Sequence, residues 1–436
     1  MIQPMATLSR TIGRFTGGAG SWLGRLGVSS ARDSPTRLRL AAAATVLVSL
    51  VLSIGGWYGI DRRGTGIDDA AQAASQLILV QDVRVRVVQA DSLASVAYLI
   101  GGQEPADQRR EYDDRISEAA GGLTTAASAA TRDDVAALER ATALLTRYVG
   151  LVEQARANNR QGFPVGAAYQ RQARGIVDEI VAALRSVESN SRARVNASMD
   201  RAHRAGALVA GAGIALLVAI ALGSWWMARR WRRLLNVPLV VAAAIVLLVL
   251  TIGGSISASA ARRADRAVSG PLTAADLLAQ ARAAGFDARS NEALTLIARG
   301  NGAGYEVEWQ RSTSVVTTAV GAACAGFDVG CDASLSFDRY VDQHQALRVL
   351  DDTGDWDTAV AASTGDRGSA VNTMVPFDEF AAQAGSDVGV QADVAADGFD
   401  RASAPLGTLG LIVGVAGLAT AALAVAGYGQ RLREYR

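Results

Sequence analysis

The chain contains four apolar windows that carry no charged side chain. Each window is 21 to 25 residues long, and a helix of about 20 apolar residues crosses the hydrocarbon core of a bilayer. A charge at the bilayer centre costs about 2.5–3.5 kcal/mol, which explains why such windows exclude Asp, Glu, Lys and Arg. We therefore predict four membrane-spanning helices, at residues 40–60, 205–228, 237–261 and 405–427.

The first window has the position of a signal peptide but not its form. The apolar region of a signal peptide is about 7–15 residues long and ends at a small-residue cleavage site. Here the apolar stretch has 21 residues and ends in "GWYGIDRR". We therefore interpret residues 40–60 as an uncleaved signal anchor.

The placement of arginine predicts the orientation, since the chain has no lysine and all 43 basic residues are arginine. Residues 1–39 carry a net charge of +5, residues 229–236 of +4 and residues 428–436 of +2. Short basic segments stay on the cytoplasmic side. The three segments are therefore predicted to be a cytoplasmic N-terminal arm, a cytoplasmic loop and a cytoplasmic tail.

The two long segments between the spans, residues 61–204 and 262–404, are then predicted to be extracytoplasmic. The first has 19 acidic and 19 basic residues, whereas the second has 21 acidic and 11 basic residues. A segment with a net charge of −10 is not expected to bind nucleic acid or anionic lipid. Its acidity either steers a complementary partner to the surface or serves solubility alone.

Apolar residues recur in the first of these segments at the three- and four-residue spacing of a helical stripe. The stripe of its predicted third helix contains Leu138, Ala141, Leu145, Tyr148 and Val152. Turn signals separate four such helices, of which the first and last run into the predicted spans. We predict an all-α polytopic membrane protein in which each outer segment is an antiparallel four-helix bundle.

The second outer segment repeats the pattern of the first. Arg147, Tyr148 and Val149 recur as Arg339, Tyr340 and Val341, and at the same offset of 192 residues Gly162 recurs as Gly354. The matches fall at equivalent places, in the third helix and in the turn after it. We predict an internal duplication, in which Tyr148 and Tyr340 are buried residues that anchor each bundle.

The two cysteines, Cys324 and Cys331, both lie in the second outer segment. An oxidising compartment favours their pairing into a disulfide that closes a small loop. The alternative is a pair of buried thiols. Either role is structural, because no histidine lies nearby in the sequence to activate a thiolate.

Motifs of common enzyme chemistry are absent from the sequence. It contains no P-loop, no "HExxH" and no "GxSxG", and its only two histidines, His203 and His344, lie in different outer segments. His344 falls on the helical stripe, where a satisfied core residue is the expected role. The acidic turn "DDTGDWD" lacks the final glutamate of a calcium-binding loop. We expect no enzymatic activity, no cofactor and no metal site.

The predicted outer bundles resemble the four-helix sensor domains of bacterial chemoreceptors and histidine kinases. No HAMP, methylation or kinase segment follows any span of this chain, so an output would come from a partner. The four spans, the tandem bundles and the arginine-rich loop of a lysine-free chain together resemble the GlnX family of actinobacterial membrane sensors.

This resemblance implies two partners besides the lipid bilayer. One is the extracytoplasmic solute-binding lipoprotein GlnH, which binds acidic amino acids and glutamine, and the other is the cytoplasmic serine/threonine protein kinase G. The basic N-terminal arm and the loop are then the surfaces that reach the kinase. The loop's candidate contacts are Arg229, Arg230, Trp231, Arg232 and Arg233. The alternative is that these residues only set the topology and contact lipid headgroups.

Three functions are consistent with these features. In the leading hypothesis, the protein is a non-enzymatic relay that senses extracytoplasmic amino acids through a binding protein and informs a cytoplasmic kinase. In the second, it binds a small molecule directly, between helices or at an interface between the bundles. In the third, it is a structural membrane scaffold.

Overall fold

A computed structural model describes residues 34–101, 104–231, 237–365 and 370–433. Within these ranges the chain is helical and forms no strand. Its α-helices, in chain order, are α1 (Ser34–Ile100), α2 (Ala106–Ser128), α3 (Arg132–Arg160), α4 (Val165–Trp231), α5 (Val237–Leu248), α6 (Gly254–Ala267), α7 (Thr273–Ile297), α8 (Ala303–Phe327), α9 (Cys331–Asp352), α10 (Trp356–Thr364) and α11 (Met374–Arg433).

Four helical stretches are long and apolar enough to cross a membrane, which confirms the prediction made from the charge-free windows. They lie within Ala42–Ile100, Val165–Trp225, Val237–Ile297 and Met374–Gln430. Each stretch is 57 to 61 residues long, far more than the roughly 20 that a bilayer requires. Pro405 lies inside α11, which continues through it.

The described chain divides into two compact units. The apolar unit comprises residues within Met1–Asp61, Ala205–Ala258 and Leu406–Arg436. The polar unit comprises Arg62–Arg204 and Ser259–Pro405. We call the two parts of the polar unit its first and second segments. The sequence left open whether these segments pack on each other, and they form one unit.

The apolar unit is packed through small residues and one hydroxyl pair. A Cβ atom added at Gly213 would lie 2.2 Å from Leu250 Cδ2, so a larger residue at this position would require the Leu250 side chain to move. Tyr428 is 1% exposed, and its hydroxyl lies 3.1 Å from that of Thr45. Close packing of small residues and hydroxyl hydrogen bonds is the usual means of helix association in lipid.

The polar unit is built around α1 of its first segment and α7 of its second segment. Of the 25 residues of α7, 17 are buried, and no residue from 80 to 99 of α1 is exposed. Helices that are buried on all sides occupy the centre of a bundle. One apolar core contains buried residues of both segments, including Tyr148 and Tyr340. The segments therefore share a core.

Two irregular features were not expected from the sequence. Val249–Gly253 and Val268–Leu272 form π-helical turns that join α5 to α6 and α6 to α7. The second of these turns contains Pro271, which has no backbone N–H to donate.

The second segment of the polar unit also contains the short helix α10, whose N-cap Asp355 accepts a hydrogen bond from the Thr358 backbone N–H at 3.4 Å. Asp355 belongs to the acidic turn and acts there as a cap.

Candidate functional site

Arg147 and Tyr148 have the same burial as Arg339 and Tyr340. Both tyrosines are 0% exposed, and both arginines are exposed. Burial raises the pKa of each tyrosine well above its ordinary value. The Tyr340 hydroxyl accepts a hydrogen bond from Trp309 Nε1 at 3.0 Å, whereas the buried Tyr148 hydroxyl has no partner among the described residues.

Gly162 and Gly354 lie just after the two helices, α3 and α9, that carry these tyrosines. Their φ angles are +72° and +87°, a left-handed conformation that glycine adopts without the steric cost of a Cβ atom. Both glycines therefore end a helix with the same left-handed turn.

Cys324 and Cys331 form a disulfide with their Cα atoms 4.9 Å apart. The bond links the last turn of α8 to the first residue of α9. In the loop between them, the Gly330 N–H donates to Asp387 Oδ2 at 3.1 Å. The loop is held at both ends, and its contacts are structural.

The arginine-rich loop is described only in part. Arg229 is exposed, and its guanidinium carbon lies 4.8 Å from the Trp225 ring, a cation–π contact. Arg230 and Trp231 continue helix α4, but their side chains are not described. Arg232 and Arg233 lie outside the described residues. Their predicted partner contact stays a prediction.

His344 lies at the centre of a buried ionic network that the sequence did not reveal. Its Nδ1 is 2.9 Å from Glu292 Oε2 and its Nε2 is 3.3 Å from Glu306 Oε2, while the Trp309 ring stacks on it with centroids 3.7 Å apart. Burial disfavours the charged ring, but hydrogen bonds to the two glutamates raise the pKa of His344 above its ordinary value. The histidine is therefore an ionic core residue.

Glu292 completes this network on α7. It is 0% exposed and also accepts hydrogen bonds from Ser363 Oγ at 2.9 Å and Thr373 Oγ1 at 2.8 Å. Burial by itself would raise the pKa of Glu292, but Arg289 and His344 lower it to about 2. The network ties α7, α9 and α10 together and leaves its carboxylate ionised.

A cleft of about 850 Å³ opens between the two segments of the polar unit. Helices α1 and α4 form one wall, and α7 and α8 form the other. Five arginines line it: Arg84, Arg174, Arg185, Arg192 and Arg311. Four carboxylates also line it: Asp178, Glu188, Asp287 and Glu308. A concave surface with convergent polar groups is a candidate site for a small ligand.

Ion pairs across the cleft hold its walls in place. Arg174 of α4 pairs with Asp91 of α1 at 3.0 Å and also with Asp287 of α7. Arg192 of α4 donates to Asp276 of α7 at 3.1 Å. The arginines of the first segment therefore connect it to the second, a role that no motif in the sequence signalled.

A second, smaller cleft of about 320 Å³ also lies between the segments. Its walls come from α1, α2, α7 and α11, and it contains Phe286 and Phe377, whose ring centroids are 5.2 Å apart. Helices α1 and α7 contribute to both clefts. The two clefts therefore differ in chemistry, since aromatic rings line the smaller one and charges dominate the larger one. Across the described part of the chain, no group of three His, Cys, Asp or Glu side chains is arranged to hold a metal ion.

Residues 66–200 match the family model of an actinobacterial sensor domain. This match spans the first segment of the polar unit, from α1 through the part of α4 that lines the larger cleft. No curated protein and no solved structure matches the chain. The match supports an actinobacterial sensor protein, and the four apolar helices fit a membrane protein.

Proposed function

We propose that the protein is a non-enzymatic transmembrane sensor that responds outside the cytoplasm and passes its state to a partner inside. The observation that supports this most is the position of the match to a sensor domain, which lies within the polar unit and begins and ends in α1 and α4. Both helices also contain an apolar stretch long enough to cross a membrane. A shift of either helix would therefore reach the bilayer without a flexible joint.

We also propose that the two segments arose by duplication of a four-helix unit. The matching burial of Tyr148 and Tyr340 and the left-handed turns at Gly162 and Gly354 support this origin. A duplicated unit with its charges on one interface offers two related binding surfaces. Divergence of these two surfaces after the duplication would let one of them bind a ligand while the other holds the two segments together.

The partners follow from the resemblance to the GlnX family. We propose a solute-binding lipoprotein outside and a serine/threonine kinase inside, with both termini and the loop after α4 in the cytoplasm. Exposed Arg229, adjacent to Trp225, is the described part of the inner contact surface.

The relay is tested by purifying the full-length protein from membranes after crosslinking, with and without added aspartate and glutamate. We expect a binding lipoprotein and a serine/threonine kinase to co-purify in amounts that change with amino acid. An Arg229→Ala, Arg230→Ala variant should lose the kinase and keep the lipoprotein, and an Arg147→Ala control should keep both. If neither protein is recovered at any amino-acid concentration, the relay proposal is wrong.

A second candidate is a sensor that binds its ligand directly, and the charged cleft favours it. This protein would respond to a ligand after purification, without any lipoprotein. A rise in the melting temperature of the purified full-length protein with a small ligand would support direct sensing. A response that requires the added lipoprotein would support the relay through a binding protein.

A further inference from the structure

The charge of the larger cleft is divided between its two ends. Helix α4 contributes Arg174 and Asp178 to one end and Arg185, Glu188 and Arg192 to the other. The ion pairs fix which residues of the other helices lie at each end. Arg174 pairs with Asp287 of α7, and Arg84 of α1 pairs with Glu188 at 2.6 Å. We call these the acidic end and the arginine end.

At the arginine end, cations outnumber their partners. Glu188 is shared by Arg84 at 2.6 Å and Arg192 at 3.6 Å, and Arg192 also pairs with Asp276 of α7. Arg185, the third arginine at this end, makes no hydrogen bond or ion pair within the described ranges. Arg84 is 4% exposed, and its Nη2 is buried without a hydrogen-bond partner among the described residues. Burial lowers the pKa of Arg84, the Glu188 carboxylate offsets part of this effect, and the nearby charges of Arg185 and Arg192 lower the pKa further.

At the acidic end, the balance is reversed. Arg174 pairs with three carboxylates: Asp178 at 3.5 Å and Asp287, which line the cleft, and Asp91 at 3.0 Å, which is buried and does not line it. Asp91 is 0% exposed, and its Oδ1 has no hydrogen-bond partner among the described residues. Glu308 of α8 adds a third carboxylate to the lining, although it pairs with Arg311.

The stretch between the ends is apolar, with Val88, Val181, Ala283, Ala284 and Val315 in its walls. Asp178 and Arg185 are seven residues apart on one helix, which corresponds to about 10 Å along its axis. An extended tripeptide has about the same span. A single amino acid, whose two charges are much closer together, is shorter than this spacing.

We propose that this cleft binds a short zwitterionic peptide, with its carboxylate at the arginine end and its ammonium group at the acidic end. The inference rests on the second candidate function, a sensor that binds its ligand directly, and adds the class of ligand that it detects. The carboxylate would receive hydrogen bonds from guanidinium groups that have unused donors. The ammonium group would lie among carboxylates that now share one arginine, and small side chains would contact the apolar middle.

The test uses the full-length protein in detergent micelles, with trialanine as the probe and isothermal titration calorimetry as the measurement. Trialanine amide removes the carboxylate, N-acetyl-trialanine removes the ammonium group, and alanine is too short. We expect trialanine to bind and each of the other three compounds to bind at least 10-fold more weakly, because each leaves one end of the cleft unpaired.

Two variants test which end of the cleft binds the carboxylate and which binds the ammonium group. Arg185→Gln removes an exposed arginine without a described partner, so it should fold normally and weaken trialanine binding to the level of the amide. Asp178→Asn changes a side chain that is 65% exposed and should weaken binding to the level of the acetylated peptide. Arg147→Gln, an exposed arginine on α3 outside the cleft, is the matched control and should leave binding unchanged.

The proposal is wrong if trialanine does not bind, if the capped peptides bind equally well, or if Arg185→Gln behaves like the control. Any of these results leaves the sensor proposal standing when the lipoprotein and kinase still co-purify with the protein, since that experiment contains no peptide. If trialanine does not bind and neither the lipoprotein nor the kinase co-purifies, both the ligand proposal and the sensor proposal are wrong.

Discussion

The buried network around Glu292 allows a quantitative prediction about stability. A Glu292→Gln substitution keeps the size of the side chain and removes its charge. It leaves Arg289, which is 4% exposed, and His344, which is 1% exposed, with no buried carboxylate between them. Breaking a buried ion pair by removing one partner typically costs about 3–5 kcal/mol, because the remaining charge stays desolvated.

The pKa of Glu292 gives an independent magnitude. Arg289 and His344 outweigh the effect of burial and lower this pKa from 4.5 to about 2, and each unit corresponds to about 1.4 kcal/mol. The ionised carboxylate therefore contributes about 3 kcal/mol. A depressed pKa means that this contribution is complete above pH 4.5 and is lost as the pH falls towards 2. This value agrees with the typical cost of breaking a buried ion pair.

His344 has the opposite pH dependence. Because its two glutamate partners raise its pKa above the ordinary 6.5, its contribution is complete below pH 6.5 and is lost as the pH rises through the raised pKa. The destabilisation caused by Glu292→Gln should therefore be largest between about pH 4.5 and 6.5 and smaller on both sides.

Hydrogen exchange of the full-length protein, read by mass spectrometry on peptides of α7 and α9, measures the effect locally. We expect the opening free energy of these helices to fall by about 3–5 kcal/mol at pH 6 in the variant. Peptides of α3 serve as the internal control and should change less. A loss below about 1 kcal/mol at pH 6, typical of a surface substitution, would refute the assignment of a buried charged network.

Three further substitutions test the packing of the polar unit. Tyr148→Phe should leave the melting temperature unchanged or raise it, because the lost hydroxyl has no described partner, whereas Tyr340→Phe should cost about 1 kcal/mol through its lost hydrogen bond. Gly285→Ala should destabilise by about 1–3 kcal/mol, since the added Cβ atom would lie 2.4 Å from the Phe380 ring, and equal melting temperatures would contradict this packing. Cys331→Ser should cost about 2 kcal/mol by opening a small loop, a loss that a reducing agent should reproduce in the native protein but not in the variant.

Several features could be predicted from the sequence because they depend on local composition. A window without charge over 20 residues has few stable environments other than a bilayer, and this determined the number of apolar helices. The three- and four-residue spacing around Tyr148 determined which face of α3 is buried, since helical geometry fixes the period. Gly162 and Gly354 marked helix ends because a left-handed turn favours glycine.

Other features depend on residues that are distant in the sequence. Asp91, Arg174 and Asp287 are each unremarkable charges on separate helices, and only the packing of α4 against α1 and α7 brings them together. The same applies to Glu292 and His344, which are 52 residues apart. A lone histidine on an apolar stripe gives no local sign that two glutamates will meet it.

The sequence by itself therefore determined the helical class, the four apolar helices and the burial of the main anchor residues. The tertiary structure decided that the two polar segments form one unit with a shared core and a charged cleft between them. The physical reason is that helix formation and membrane preference are set within a turn or a window of sequence. Charge pairing and cavities are set instead by which helix faces meet, and many arrangements of the same helices satisfy the same local pattern.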